Sequence, residues 1–222
     1  ITVASGGGDK TWQWLDGNDS WSSSEHIRVA DEKVYGWVDD TNTYIGRPAA
    51  DTIAFTHGGN EKVRIDSSGR VLIGTTTEGF AEADDLTINS ADHGGITIRT
   101  PTNKEGNIAF SDTTSGTGEY SGLIRYRHSQ NDLGLWTNSN LRLLIDSTGQ
   151  VLPGTDDSQN LGSSTKRWAN IYAADMHYSN EGDKNSVDGT WGSYTIQEGE
   201  NDLFLLNNRN GKKYKFNLTE VN

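Results

Sequence analysis

The chain has 222 residues, 31 Asp and Glu against 19 Lys and Arg for a net charge of −12, and no Cys. The acidic balance argues against binding nucleic acid or anionic lipid through charge, and the lack of Cys excludes disulfides, thiolate chemistry and thiolate-held metal. No run approaches the roughly 18 consecutive apolar residues of a membrane-spanning helix, so no membrane insertion is expected.

Residues 1–50 are rich in aromatics, with Trp12, Trp14, Trp21, Tyr35, Trp37 and Tyr44 close together. Trp12 and Trp14 alternate with polar residues, as Tyr35 and Trp37 do with a glycine, so each pair is expected to share one face of a strand. Turned outward, these four residues are a candidate glycan-binding surface, because aromatic rings stack on sugar rings. Turned inward, they would fill the core of a small domain. The chain opens Ile1-Thr2-Val3 without a Met, and a piece of a longer protein is expected.

Residues 51–80 hold a strand–turn–strand unit. Val63-Arg64-Ile65-Asp66 alternates apolar and polar, Ser67-Ser68-Gly69 supplies a three-residue turn with glycine at its positive-φ position, and Arg70-Val71-Leu72-Ile73 returns. In 81–155, short strands are expected at 96–99, 107–110 and 123–128, the last with Ile124, Tyr126 and His128 on one face. The unit of 55–75 then recurs at 135–155 with a constant offset of 80 residues. Ile65 and Ile145, Asp66 and Asp146, Gly69 and Gly149, Leu72 and Leu152, and Gly74 and Gly154 all match. In 156–222, Lys166–Asp175 is the best helix candidate, two or three turns with Trp168, Ile171 and Tyr172 on one face. Leu203–Asn208 and Lys213–Leu218 read as a terminal hairpin around Asn210-Gly211, expected as a type I′ turn with Tyr214, Phe216 and Leu218 inward.

Leu, Ile, Val and Phe total 43 of the 222 residues, at the edge of the disordered range, yet 7 Trp and 8 Tyr are unlike a disordered chain. An all-β chain of short strands that completes its core against further copies of itself reconciles the two. Such pairing would also shield open strand edges.

The repeated units, GGNEKVRIDSSGRVLIGTTT (58–77) and NLRLLIDSTGQVLPGT (140–155), resemble the R-I-D-S-S-G-x-V-x-I-G-T units of bacteriophage tail fibres, those of marine and cyanobacterial phages in particular. LTINSADHGGITIRT (86–100) and GNIAFSDTTSGTGEYSGLIRYRHSQNDLGLWTN (106–138) are similar to a module that often precedes that unit. QNLGSSTKRWANIYAADMHYSNEG (159–182) resembles the lead-in to a self-cleaving chaperone, though no long helical stretch follows residue 180, so self-cleavage is not expected. Residues 189–221 look like the end of such fibre proteins. The resemblance implies an elongated homotrimeric fibre of a virion, its chains intertwined or abutting, which contacts other virion proteins and attaches to a host surface.

Catalytic signatures are absent: there is no His-Glu-x-x-His, Gly-x-Ser-x-Gly or phosphate loop. Gly116-Thr117-Gly118 begins like a dinucleotide loop, but Ser121 stands where the third glycine belongs. The paired acids at 39/40, 84/85, 156/157 and 198/200 read as solvated turns rather than glycosidase pairs. His26, His57, His93, His128 and His177 are isolated. His128 is the best candidate for a three-histidine site on a trimer axis, with a packed or exposed role the plainer reading. Turns at 39–42 and 156–160 are rich in oxygen donors yet match no calcium loop. Arg209, Lys212, Lys213 and Lys215 form one basic patch, read as an edge that discourages strand pairing. No cofactor, metal or catalytic residue is expected. The expected role is a non-enzymatic part of a tail fibre or similar appendage that aids adsorption to a host surface glycan. The alternatives are a polysaccharide-degrading tailspike and a purely architectural capsid fibre or baseplate connector.

Overall fold

The computed structural model describes residues 2–3, 10–15, 17, 20–23, 28–29 and 33–221, with residues 2–3 and 10–14 described by their backbone. The chain is all-β and falls into two compact units, Ile1–Thr100 and Pro101–Asn222.

In the first unit, β1 (Thr2–Val3), β2 (Lys10–Leu15) and β3 (Ser20–Ser23) form a small antiparallel sheet. A second sheet runs in chain order through β4 (Tyr35–Trp37), β5 (Asp40–Gly46), β6 (Ile53–His57), β7 (Asn60–Ile65) and β8 (Val71–Ile73), all antiparallel. A sixth strand, β9 (Leu86–Ile88), joins β8 in parallel.

The second unit repeats this meander with β10 (Glu105–Phe110), β11 (Gly122–Arg127), β12 (Asp132–Thr137), β13 (Asn140–Ile145) and β14 (Val151–Pro153). It adds a separate sheet of β15 (Met176–Ser179), β16 (Ser193–Glu198), β17 (Leu203–Asn207) and β18 (Lys213–Lys215). A 3-10 turn at Gly116–Tyr120 is the nearest approach to a helix among the described residues.

The 80-residue repeat is a repeat of structure down to single hydrogen bonds. The Asp66 carboxylate accepts the N–H groups of Ser68 (2.9 Å) and Arg70 (3.0 Å), and Asp146 accepts those of Thr148 (2.8 Å) and Gln150 (3.0 Å). Each turn is closed by the aspartate N–H donating to the carbonyl four residues on, at 3.0 Å in both. Gly69 and Gly149 take φ of 84° and 86° at the position that favours glycine. Both units also carry a β-bulge at the same place. The pairing skips Lys62 between β6 and β7, and Arg142 between β12 and β13.

Four sequence expectations are corrected. Residues 96–99 form no strand, because none of the described strands pairs with them. Lys166–Asp175 is irregular rather than helical. The Ser163 hydroxyl takes the Lys166 N–H at 3.0 Å in a local turn, and Trp168, Ile171 and Tyr172 stay exposed with no core to hold a short helix. The terminal hairpin forms, but its turn is not type I′: only Gly211 has positive φ, while Asn207 and Asn210 accept nearby N–H groups and lengthen the loop. Tyr214 and Leu218 are exposed rather than inward, and the return strand ends at Lys215.

Candidate functional site

Residues directly opposite each other in a sheet project to the same side, and this rule exposes the main feature of the chain. In the first unit the register links Tyr35 to Ile45, Ile45 to Phe55, Phe55 to Val63 and Val63 to Ile73. One step along, Ile53 faces Ile65 and Ile65 faces Val71. Leu86 and Ile88 extend the same side. One whole face is therefore apolar. The second unit has the equivalent face: Ile108, Ile124, Leu135 and Leu143 lie in one row, and Tyr126, Leu133, Ile145 and Val151 in the next.

These faces are open in the chain. Ile53 is 50 % exposed, Phe55 44 %, Ile108 50 % and Val151 62 %. The buried apolar side chains among the described residues are only Ala54, Leu72 and Leu123, all on the opposite faces. The accessible surface totals 18046 Å². A compact protein of this mass would expose about 10,000 Å², and two separate compact halves about 12,000 Å². Much of the aliphatic side-chain surface of both sheets therefore stays accessible in the single chain.

The opposite faces mix these buried apolar residues with paired charges. Arg64 forms a double hydrogen bond to Glu61 at 2.6 and 2.8 Å. Arg127 clamps Asp132 across the β11–β12 pair with two hydrogen bonds. Arg70 reaches Asp66 at 2.7 Å and Asp84 at 2.8 Å, which ties the first turn to the segment leading into β9. The Arg70 guanidinium holds the Asp66 carboxyl below the usual carboxylate range, and the Thr148 hydroxyl does the same for Asp146. Gly134 makes room for the ring of Trp136, since a Cβ there would lie 2.5 Å from it, and the Arg125 guanidinium sits 4.8 Å from the centre of that ring.

The four aromatic candidates fall on two sheets. Trp12 lies opposite Ser23, and Trp14 opposite Trp21, in the small sheet; the side chains of Trp12 and Trp14 lie outside the described residues. Tyr35 belongs to the apolar face opposite Ile45, and lines a cleft of ≈310 Å³ with Val29, Lys33, Arg47 and Ile53. Trp37 lies opposite Asp40 beside a tight turn, and is 61 % exposed. His128 stacks edge-on against Tyr126 with ring centres 5.0 Å apart. Among the described residues no three His, Asp or Glu side chains gather as a metal site.

Sequence reasoning singled out aromatics and missed the continuous aliphatic faces. The signal was present as period-two alternation in every strand, but register decides whether separate alternations line up into one surface. No family model, curated protein or solved structure matches the chain.

Proposed function

We propose that this chain is a structural, non-enzymatic protein of a bacteriophage particle, part of a homotrimeric tail fibre or similar appendage that aids adsorption to a host surface glycan. The observation that carries the reading is the pair of aliphatic sheet faces left open in the single chain. Covering them with identical faces from further copies supplies the core that 43 Leu, Ile, Val and Phe cannot build alone. The likeness of residues 58–77 and 140–155 to tail-fibre units supports three copies and a virion setting. Repetition of a weak glycan site over three chains would multiply its avidity.

Light scattering on the purified chain tests the assembly, with a mass of three chains expected and a monodisperse single chain overturning it. Competition of phage adsorption by the same material tests the receptor role. Release of reducing sugar from host polysaccharide would identify a degrading spike instead.

A further inference from the structure

The β15–β18 sheet differs in chemistry from the two repeated sheets, and this difference points to a ligand. Its β15 edge carries Tyr178 directly opposite Tyr194. The two tyrosines, with Ser179, Asn180, Asn185 and Gly192, line a shallow basin of ≈350 Å³. The repeated faces are mostly aliphatic, with Tyr35, Phe55 and Tyr126 each set among aliphatic neighbours; here two tyrosines stand directly opposite each other, and each ring brings an apolar face and a hydroxyl.

The basin is held in shape before any ligand arrives. Tyr194 lies against Gly192, where a Cβ would come within 3.0 Å of the ring, and its hydroxyl accepts the Asn207 amide at 3.1 Å. The wall is the loop between β15 and β16. Asn185 braces it from within, its Oδ1 accepting the N–H groups of Val187 and Asp188 at 2.8 and 3.0 Å and its Nδ2 donating to Asp188 at 2.7 Å. Asn180 closes it, its Oδ1 accepting the Gly192 N–H at 2.6 Å. Among the described residues that leaves the Asn180 Nδ2 without an acceptor, and both Asn180 and Ser179 line the basin.

We infer that this basin binds a neutral sugar residue, stacked by its C–H face on Tyr178 and Tyr194 and hydrogen-bonded through its hydroxyls to the Asn180 amide and the Ser179 hydroxyl. Flat amphipathic rings beside a few fixed amide and hydroxyl groups suit a ligand with one apolar face and a rim of hydroxyls. The loop's internal hydrogen bonds remove much of the ordering cost of binding. A charged ligand is disfavoured: no cation lines the basin, and the nearby Asp188 carboxylate is taken up by Thr190 and Asn185. The inference rests on the glycan reading above but assigns the contact to residues other than Trp12, Trp14, Tyr35 and Trp37.

Saturation-transfer NMR on the full chain tests it, with methyl α-mannoside, methyl β-glucoside, methyl β-galactoside and N-acetylglucosamine as probes. At least one is expected to receive transfer at its ring protons. Tyr178→Ala should weaken that binding about tenfold or more. Asn180→Asp keeps the acceptor for the Gly192 N–H, removes the free donor, and should weaken binding several-fold, with the light-scattering mass unchanged in both variants. Transfer to none of the four probes overturns the site, as does transfer that neither substitution reduces. A fall in oligomer mass in Tyr178→Ala also overturns it, because the tyrosines would then be contacts between copies. Adsorption competition separates the two readings. If Tyr178→Ala blocks adsorption as well as the unaltered chain, this basin is wrong while glycan attachment stands. If the unaltered chain fails to block adsorption yet shows Tyr178-dependent transfer, attachment falls and the basin stands.

Discussion

At the scale of residues, the two turn aspartates carry the sharpest expectations. Asp66 and Asp146 accept several hydrogen bonds in the folded chain, which lowers their proton affinity below that in the unfolded chain. Their contribution is therefore fully present above the ordinary carboxylate value near pH 4, and is lost as pH falls through the lowered folded values. The thermal midpoint should hold from pH 7 to about 5 and drop below about 4, and Asp146→Asn should shrink that acid-dependent drop. Two glycines separate backbone strain from crowding. Gly149 has φ of 86° with open space around it, so Gly149→Ala should cost about 1 kcal/mol from conformation alone. At Gly154 a Cβ would stand 2.0 Å from the Leu141 carbonyl oxygen, so Gly154→Ala should be clearly worse in urea denaturation.

At the scale of elements, the two meanders differ at one edge, and a proline stands at the point of difference. β8 gains β9 as a parallel neighbour, with the Val71 N–H donating to the Asp85 carbonyl and the Asn89 N–H to that of Ile73. At the matching position β14 has Pro153. The Gly154 N–H points inward to the Arg142 carbonyl, so by alternation the residue before it turns its backbone nitrogen to the open edge, where proline has no hydrogen to offer. Restoring a donor with Pro153→Ile should make that edge adhesive, seen as species larger than the normal assembly in sedimentation.

The sequence made the β7–β8 and β13–β14 hairpins legible because Asp, Ser and Gly fix a turn through contacts only four residues long. The pairing of β4 with β5 and of β10 with β11 was not legible as a duplication, since Ile45 and Ile124, opposite Phe55 and Leu135, are 79 residues apart rather than 80 and stand among residues that differ. Ile96 and Ile98 show strand alternation without a partner, and Trp168, Ile171 and Tyr172 show helical spacing without a surface to pack on. In both places periodicity recorded a side, not a neighbour. The tyrosine basin was hidden for a related reason: Tyr178 and Tyr194 are 16 residues apart and meet only through the β15–β16 register.

At the scale of the whole molecule, the expected association depends on apolar surface rather than charge. Phe55 and Leu135 occupy equivalent, partly exposed positions on the two aliphatic faces. Phe55→Asp together with Leu135→Asp leaves each chain's own buried residues untouched while placing two charges where copies would meet. Light scattering should then report one chain instead of three, and a mass that stays at three would show that these faces do not make the contact.

The bulged, 80-residue repetition has a cost of its own. If copies associate through these faces as proposed, two near-identical greasy sides on one polypeptide would let a neighbour slip by a full module and still find something to grip, and staggered partners of that kind do not close but recruit further chains without end. In such an assembly the places where the modules disagree would hold the copies in step, among them Ile53 against Leu133, Phe55 against Leu135, Val63 against Leu143 and Ile73 against Pro153. Making the modules alike at those positions is then expected to turn a finite assembly into an open-ended filament.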